Sequence, residues 1–261
     1  MEDILYPSKI ELTAGENANE AVLTAEPFFH GYGTTVGNAL RRVMLSSLPG
    51  AAITAVKIKG VQHEFSSINH VKEDVLEILL NLKQVRLKCW SDIPVKVTLH
   101  VKGEKTVTAA DIKTTSDVEI VTPKLMIATL TDKNAELEME ITVERGRGYL
   151  PTEERGKESK LELGTIAVDA LFSPVINVGF RTENVRVGDI TNYDKLVMEI
   201  ETDGTITPKE AVEQANKILM NHFNLFADIA GGETPKSVDE APADEKEEKP
   251  KRGRKKTEKA E

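Results

Sequence analysis

The stretch that decides the fold is Gly31-Tyr32-Gly33-Thr34-Thr35-Val36-Gly37-Asn38-Ala39-Leu40-Arg41-Arg42-Val43-Met44-Leu45-Ser46-Ser47-Leu48-Pro49-Gly50. Two glycines open it, and Thr34 or Thr35 can serve as N-cap because a hydroxyl accepts from an orphan amide. Pro49-Gly50 closes it, so the spacing predicts a helix over 35–48. At about 100° per residue the side chains sort onto two faces. Val36, Ala39, Leu40, Val43 and Met44 share one, with the small Ser47 beside them. Arg41, Leu45 and Arg42 share the other. Scattered surface leucines are common, so Leu45 by itself decides nothing. The sharper reading is a helix with two jobs, one face in its own core and the other an Arg-Leu-Arg docking patch. Arginine suits such a patch because its planar fork both stacks and pairs.

Working outward, 261 residues allow one large domain or two modest ones, with 39% apolar residues diluted by a charge-rich end. The single Cys89 excludes a disulfide framework and any multi-cysteine zinc site, and it suits a reducing compartment. No apolar run approaches the roughly 20 residues that span a bilayer. Met1-Glu2-Asp3-Ile4 lacks the basic-then-apolar order of a signal peptide. A cytoplasmic chain with no membrane partner is expected. The formal net charge is -9; residues 233–261 hold nine acids and nine bases, so the whole excess sits in the remainder. So acidic a globule repels phosphate and is a poor general nucleic-acid binder.

Residues 4–12 and 20–28 read as extended segments about a polar turn at Gly15-Glu16-Asn17, with Pro27 ending the second. Ala51–Ile58 reads as a strand. Residues 71–82 read as a helix whose stripe is Val71, Val75, Ile78, Leu79 and Leu82, with Glu73, Asp74, Glu77 and Asn81 facing away. Residues 95–102 and 135–144 alternate as strands wet on one face. The outer face of the second is nearly all glutamate, an acidic recognition strip or simply a solvated face. Arg145–Pro151 reads as a Gly-punctuated loop, and 168–175 ends a further extended piece. Residues 176–187 and 193–202 give two more strands.

Thr207-Pro208-Lys209-Glu210 is a capping box with proline at the first helical position. Ala211, Val212, Ala215, Ile218, Leu219, Phe223 and Phe226 follow at helical spacing. Their apolar arc of about 160° is wider than a core stripe needs, so this helix is expected to pack on something beyond its own domain. Gly231-Gly232 ends it. Residues 231–261 read as a disordered charged tail. No repeat is present, and strands and helices mix without βαβ regularity; the class is α+β.

Catalytic chemistry needs convergent groups, and the sequence offers few. The five histidines lack metal spacing, and there is no nucleophile elbow or P-loop; neither metal nor cofactor is expected, nor any catalytic residue. Gly31-x-Gly33-x-x-x-Gly37 resembles a phosphate cradle at a helix start, but the spacing and context are wrong, and a tight backbone turn is the plainer reading. Cys89 beside Trp90 has no base to activate it. Arg145-Gly-Arg-Gly-Tyr149 is either an RNA-stacking grip or a short connection. Around Gly253, the residues Lys251, Arg252, Arg254, Lys255 and Lys256 approach an AT-hook, in which arginines enter the narrow minor groove of A·T tracts. A solubilising or weakly phosphate-binding tail is the alternative. A nucleoid-type DNA-binding protein acting through this tail is therefore one functional class to weigh.

The opening stretch resembles the first helix of the bacterial RNA polymerase alpha subunit, and the likeness runs over nearly all of 1–230. It includes Gly60-Val61-Gln62-His63-Glu64-Phe65-Ser66, Glu73–Lys83, Arg145–Tyr149, Val168–Val175 and Leu196–Ile206. The resemblance implies a two-part N-terminal domain: a discontinuous dimerisation subdomain at 1–48 and 175–230, and a mainly-β inserted subdomain at 49–174. Dimerisation would use Val36, Leu40, Val43, Ile218, Leu219, Phe223 and Phe226 in a four-helix, self-complementary contact. The resemblance further implies a homodimer on which the β and then β′ subunits assemble, joined by omega and sigma, with the chemistry in the large subunits. By motif, Arg42 and Leu45 fall where β docks, with Arg41 on the same face and His63 nearby. Lys83 and Val168 fall where β′ docks. The family usually continues into a helical DNA-binding domain; here the sequence runs into the charged tail, which is expected to replace that domain in part.

Overall fold

The computed structural model describes residues 4–155, 162–188 and 190–230. The chain divides into two units, Met1–Asn221 and His222–Glu261. In the first unit two antiparallel sheets each carry their own core.

One sheet has the order β1-β2-β15-β14, from β1 (Lys9–Ala14), β2 (Glu20–Phe28), β14 (Val175–Val187) and β15 (Ile190–Thr202). β1 starts later than expected and is exposed along its whole length. β2 runs through Pro27 instead of stopping there, because the pairing of β15 slips between Asp194↔Phe28 and Leu196↔Ala25. A proline has no N–H to donate, and such an irregularity in the ladder is where it is tolerated.

α1 (Tyr32–Ser46) and the first turns of α4 (Pro208–Ala230) pack on this sheet. Leu40 and Met44 of α1 share a core with Leu23, Met198 and Ile200 of the strands and with Ala211 and Ala215 of α4. Helices on one face of an antiparallel sheet make the α+β class that patterning predicted.

α1 begins three residues earlier and ends sooner than the expected 35–48. Its N-cap is Gly31 in the left-handed region (φ 83°), not Thr34 or Thr35. The Thr35 hydroxyl instead donates back to the Gly31 carbonyl at 3.3 Å. The α4 start follows expectation: the Glu210 amide donates to Thr207 Oγ1 at 3.2 Å and the Thr207 amide to Glu210 Oε2 at 2.8 Å.

The second sheet has the order β12-β3-β10-β5-β7. Its strands are β3 (Pro49–Ile58), β5 (Val95–Lys102), β7 (Ile112–Lys113), β10 (Glu136–Arg147) and β12 (Thr165–Ala167). Short pairs surround it: β4 (Leu87–Cys89) with β8 (Val118–Ile120), β6 (Lys105–Thr108) with β9 (Met126–Leu130), and β11 (Tyr149–Leu150) with β13 (Ala170–Leu171). α2 (Val75–Lys83) covers the inner face, and α3 (Thr152–Arg155) is a single turn. The alternation of β5 and β10 sends Val97, Leu99, Leu137, Met139 and Ile141 inward against Val75, Ile78 and Leu82 of α2.

Four expectations fail in this sheet. β3 takes in Pro49-Gly50, and β10 continues through Arg145–Arg147, which pair with Ala51–Pro49 and so are strand, not loop. α2 starts at Val75, N-capped by Asp74, whose carboxylate accepts from the Glu77 amide at 2.7 Å; Val71 lies ahead of it in an isolated bridge to Leu130. Glu73, expected to face away, is 4% exposed. Its carboxylate accepts from the Thr129 amide at 2.6 Å and the Thr129 hydroxyl at 2.9 Å. Buried Cys89 packs in this core, while Trp90 is exposed.

The glutamates of β10 face outward among bases. Glu138 accepts from Lys59 at 2.6 Å, Glu140 from Lys96 at 2.8 Å, and Glu136 from Lys102 at 2.9 Å and His100 at 2.8 Å. This face is a ladder of ion pairs rather than an open acidic strip. Lys102, then His100, hold the Glu136 carboxyl down to about 2. His100, Glu136 and Glu138 lie close enough to share a cation, but Lys59 and Lys102 already occupy those carboxylates.

Candidate docking surfaces

The exposed face of α1 follows from its buried one. Gly33, Gly37, Leu40 and Met44 are buried at helical spacing, which leaves Arg41 and Arg42 exposed. Among the described residues neither arginine has a carboxylate partner. They line a shallow groove with Thr34, Thr35, Asn38 and Phe180. Leu45 departs from the simple two-face picture: it is half-buried and packs on the core of its own sheet, and its carbonyl accepts from Ser173 Oγ at 3.3 Å. A helix next to a loop as well as a sheet covers more of its circumference than periodicity reveals. The patch is thus two exposed guanidinium groups beside a partly covered leucine.

His63 is exposed, and its carbonyl accepts from Ser66 Oγ. No hydrogen bond or ion pair among the described residues joins its side chain to Arg41, Arg42 or Leu45. Its neighbours Gln62 and Glu64 line a different groove, about 390 Å³, with Leu76, Leu80, Lys83, Val168 and Asp169.

That groove holds the second predicted set. Val168 is 5% exposed, and its amide donates to the Thr54 carbonyl at 2.9 Å, so it shapes the wall from within. The Lys83 ammonium donates to Asp169 Oδ2 at 3.3 Å and stands 5.3 Å from the centre of the Tyr149 ring, within cation–π range. Tyr149 also donates to Asp169 Oδ2 at 2.9 Å, and the Thr152 amide donates to Oδ1 at 3.0 Å. The Thr152 N–H, followed by the Tyr149 hydroxyl and Lys83, holds the Asp169 carboxyl below the usual range. Donation to that carboxylate raises the Tyr149 hydroxyl.

Sequence reasoning missed Asp169, Tyr149 and Thr152. The Arg-Gly-Arg-Gly-Tyr run and the Val168-Asp169 pair were both visible, but their meeting depends on the β11–β13 pairing, which no local pattern encodes.

Of the residues expected at a dimer contact, Leu40 is committed to its own core, and Val36, Val43, Ile218 and Leu219 are half-buried against it. Phe223 and Phe226, on the His222–Glu261 side of the division, expose 59% and 69% of their surface. Lys251, Arg252, Arg254, Lys255 and Lys256 lie outside the described residues, as does the predicted disorder of 231–261. The phosphate-cradle alternative at Gly31–Gly33 is closed off. Both amides donate to the chain's own Asp194 carboxylate, at 2.9 and 3.2 Å. No helix among the described residues is long and apolar enough to cross a membrane.

The fold points first to a class. Residues 56–173, which span most of the second sheet and its core, match the family model described as the RNA polymerase Rpb3/RpoA insert domain. Comparison over the longer chain then narrows the class. The chain is 52% identical over 203 residues to a protein of Alkaliphilus oremlandii named DNA-directed RNA polymerase subunit alpha, covering 78% of this chain and 63% of the relative. It is 50% identical over 229 residues to the protein of that name from Roseiflexus castenholzii, covering 88% and 69%. The Oceanobacillus iheyensis relative is 47% identical over 229 residues, covering 88% and 72%. The chain belongs to the DNA-directed RNA polymerase alpha subunit family. It spans about two thirds of the length of these relatives.

Proposed function

We propose that this chain works as an alpha subunit of a cytoplasmic DNA-dependent RNA polymerase, the nucleotidyltransferase that copies DNA into RNA from ribonucleoside triphosphates. It does so as a homodimeric scaffold for β and β′, with no catalytic group of its own. Omega and sigma complete the assembly. In this reading, 1–48 and 175–230 make the dimerisation part and 49–174 is the inserted part; the two sheets with separate cores support that division.

The observation that carries the reading is the two-sided α1. One face is fixed in the core by Leu40 and Met44, and the other offers Arg41 and Arg42, which have no carboxylate partner among the described residues. Two exposed arginines are suited to bidentate contacts with acidic or carbonyl-rich surfaces. The Lys83 groove, with Leu76 and Leu80 exposed at 42% and 53%, supports a second contact of mixed apolar and cationic character.

Co-expression tests the order of assembly. With β present, wild type and Lys83→Ala are expected to give a complex of two copies per β, while Arg42→Ala remains an uncomplexed dimer. With β′ added, only the wild type completes the assembly. An Arg42→Ala chain that captures β normally would remove α1 from the docking surface.

A further inference from the structure

Helix α1 meets its sheet through two glycines, and a single carboxylate from a distant strand accepts from the amides at its start. Asp194, on β15, is 6% exposed, and its Oδ2 accepts from the backbone amides of both Gly31 and Gly33. Its Oδ1 lies 4.0 Å from His30 Nδ1. A Cβ placed on Gly33 would stand 2.9 Å from Asp194 Cβ and 3.1 Å from Oδ2. A Cβ on Gly37 would stand 2.8 Å from both Leu196 Cδ1 and a Phe180 ring carbon. The glycines at i and i+4 thus form a flat strip that rests directly on β14 and β15.

Apolar packing of this kind fixes how far a helix stands from a sheet and which side faces it. It resists sliding along the axis weakly, because dispersion contacts lack direction. Hydrogen bonds have direction, and those from helix-end amides to a carboxylate are charge-assisted. A slip of one residue moves a helix about 1.5 Å and turns its surface by about 100°. That is enough to carry Arg41 and Arg42 away from any partner groups matched to them.

We propose that Asp194 is a positioning residue that sets the axial register of α1 and so determines where the Arg41–Arg42 patch stands. Gly33 is the clearance that lets the carboxylate reach the amides. This rests on the docking role proposed for α1, and the test separates the two.

Full-length chains carrying Asp194→Ala, Asp194→Asn or Gly33→Ala are compared with wild type and Arg42→Ala. The readouts are hydrogen exchange across residues 31–46 and capture of β by the dimeric fraction at low temperature. Asp194→Ala is expected to speed exchange of the first-turn amides at least tenfold and to weaken capture at least tenfold while the chain stays dimeric. Asp194→Asn keeps an acceptor oxygen and restores part of both. If Asp194→Ala does not fold, Gly33→Ala, which displaces the carboxylate but keeps its charge, is expected to weaken capture by a similar factor. Dimers of either variant with wild-type exchange and wild-type capture overturn the inference. If Arg42→Ala captures β normally, the docking role falls, and hydrogen exchange alone then decides the register of α1.

Discussion

Glu73 is a carboxylate held inside an apolar core, and its two acceptor bonds from Thr129 make it a strut between the chain ahead of α2 and strand β9. Replacing it with alanine leaves the half-buried amide and hydroxyl of Thr129 without this partner. Such groups cost about 1–3 kcal/mol when left unmade, so Glu73→Ala is expected to lower unfolding free energy by about 2 kcal/mol. The denaturant midpoint measures this, and an unchanged midpoint would show that water replaces the strut. Glu73 was illegible in the sequence. Helical spacing put it on the wet side, but it precedes the helix proper, where the α-helical period no longer applies. Asp194 was illegible for a different reason: its partners lie 163 and 161 residues away, and no local pattern announces a cap delivered by a neighbouring strand. Arg41 and Arg42 were legible because a helix commits its buried face first and leaves the remainder to solvent.

Among the elements, α4 was the best marked. Its capping box satisfies two orphan donors reciprocally, with Thr207 and Glu210 in the predicted roles. Thr207→Ala is expected to cost about 1 kcal/mol, the usual worth of such a cap, read from the urea midpoint. Glu210→Gln keeps an acceptor oxygen but loses the charge, so at neutral pH it is expected to lower that midpoint by less than Thr207→Ala does. The Thr207 N–H and hydroxyl hold the Glu210 carboxyl below its ordinary value. Its contribution to stability is therefore present above the ordinary carboxylate range and fades as the pH falls below it.

Strands β5 and β10 were equally plain, since alternation is the direct consequence of a sheet wet on one side. The start of β3 at Pro49 and the end of β10 at Arg147 were not. Pro-Gly and Arg-Gly-Arg-Gly read as punctuation, yet Pro49 pairs with Arg147 and Gly50 with Gly146 between two inner strands of the sheet. A Cβ at Gly50 would collide with the Phe172 carbonyl, and one at Gly146 would stand 2.7 Å from the Phe172 ring. Those glycines answer to a packing neighbour rather than to a turn.

At the scale of the whole molecule, an acidic chain carries an ion-pair ladder across the outer face of its second sheet. Lys102 and His100 hold the Glu136 carboxyl down to about 2 from an ordinary 4.5. A depressed carboxyl contributes stability that is complete above about 4.5 and is lost as pH falls toward about 2. Glu136→Gln is accordingly expected to flatten the acid limb by lowering stability above about 4.5, and to converge with wild type as pH falls toward about 2. A variant whose acid limb matches wild type would show that the exposed ladder is screened by solvent.

A scaffold must first pair with itself, and a two-fold contact needs a self-complementary apolar surface. Phe223 and Phe226, with more than half their surface bare, are the side chains best suited to provide one. The most direct measurement is the mass in solution by light scattering, for wild type and for the Phe223→Ala/Phe226→Ala double variant. Twice the 28.8 kDa chain mass is expected for wild type, with a shift toward 28.8 kDa for the variant. A wild-type chain that stays at 28.8 kDa across the micromolar range would contradict it.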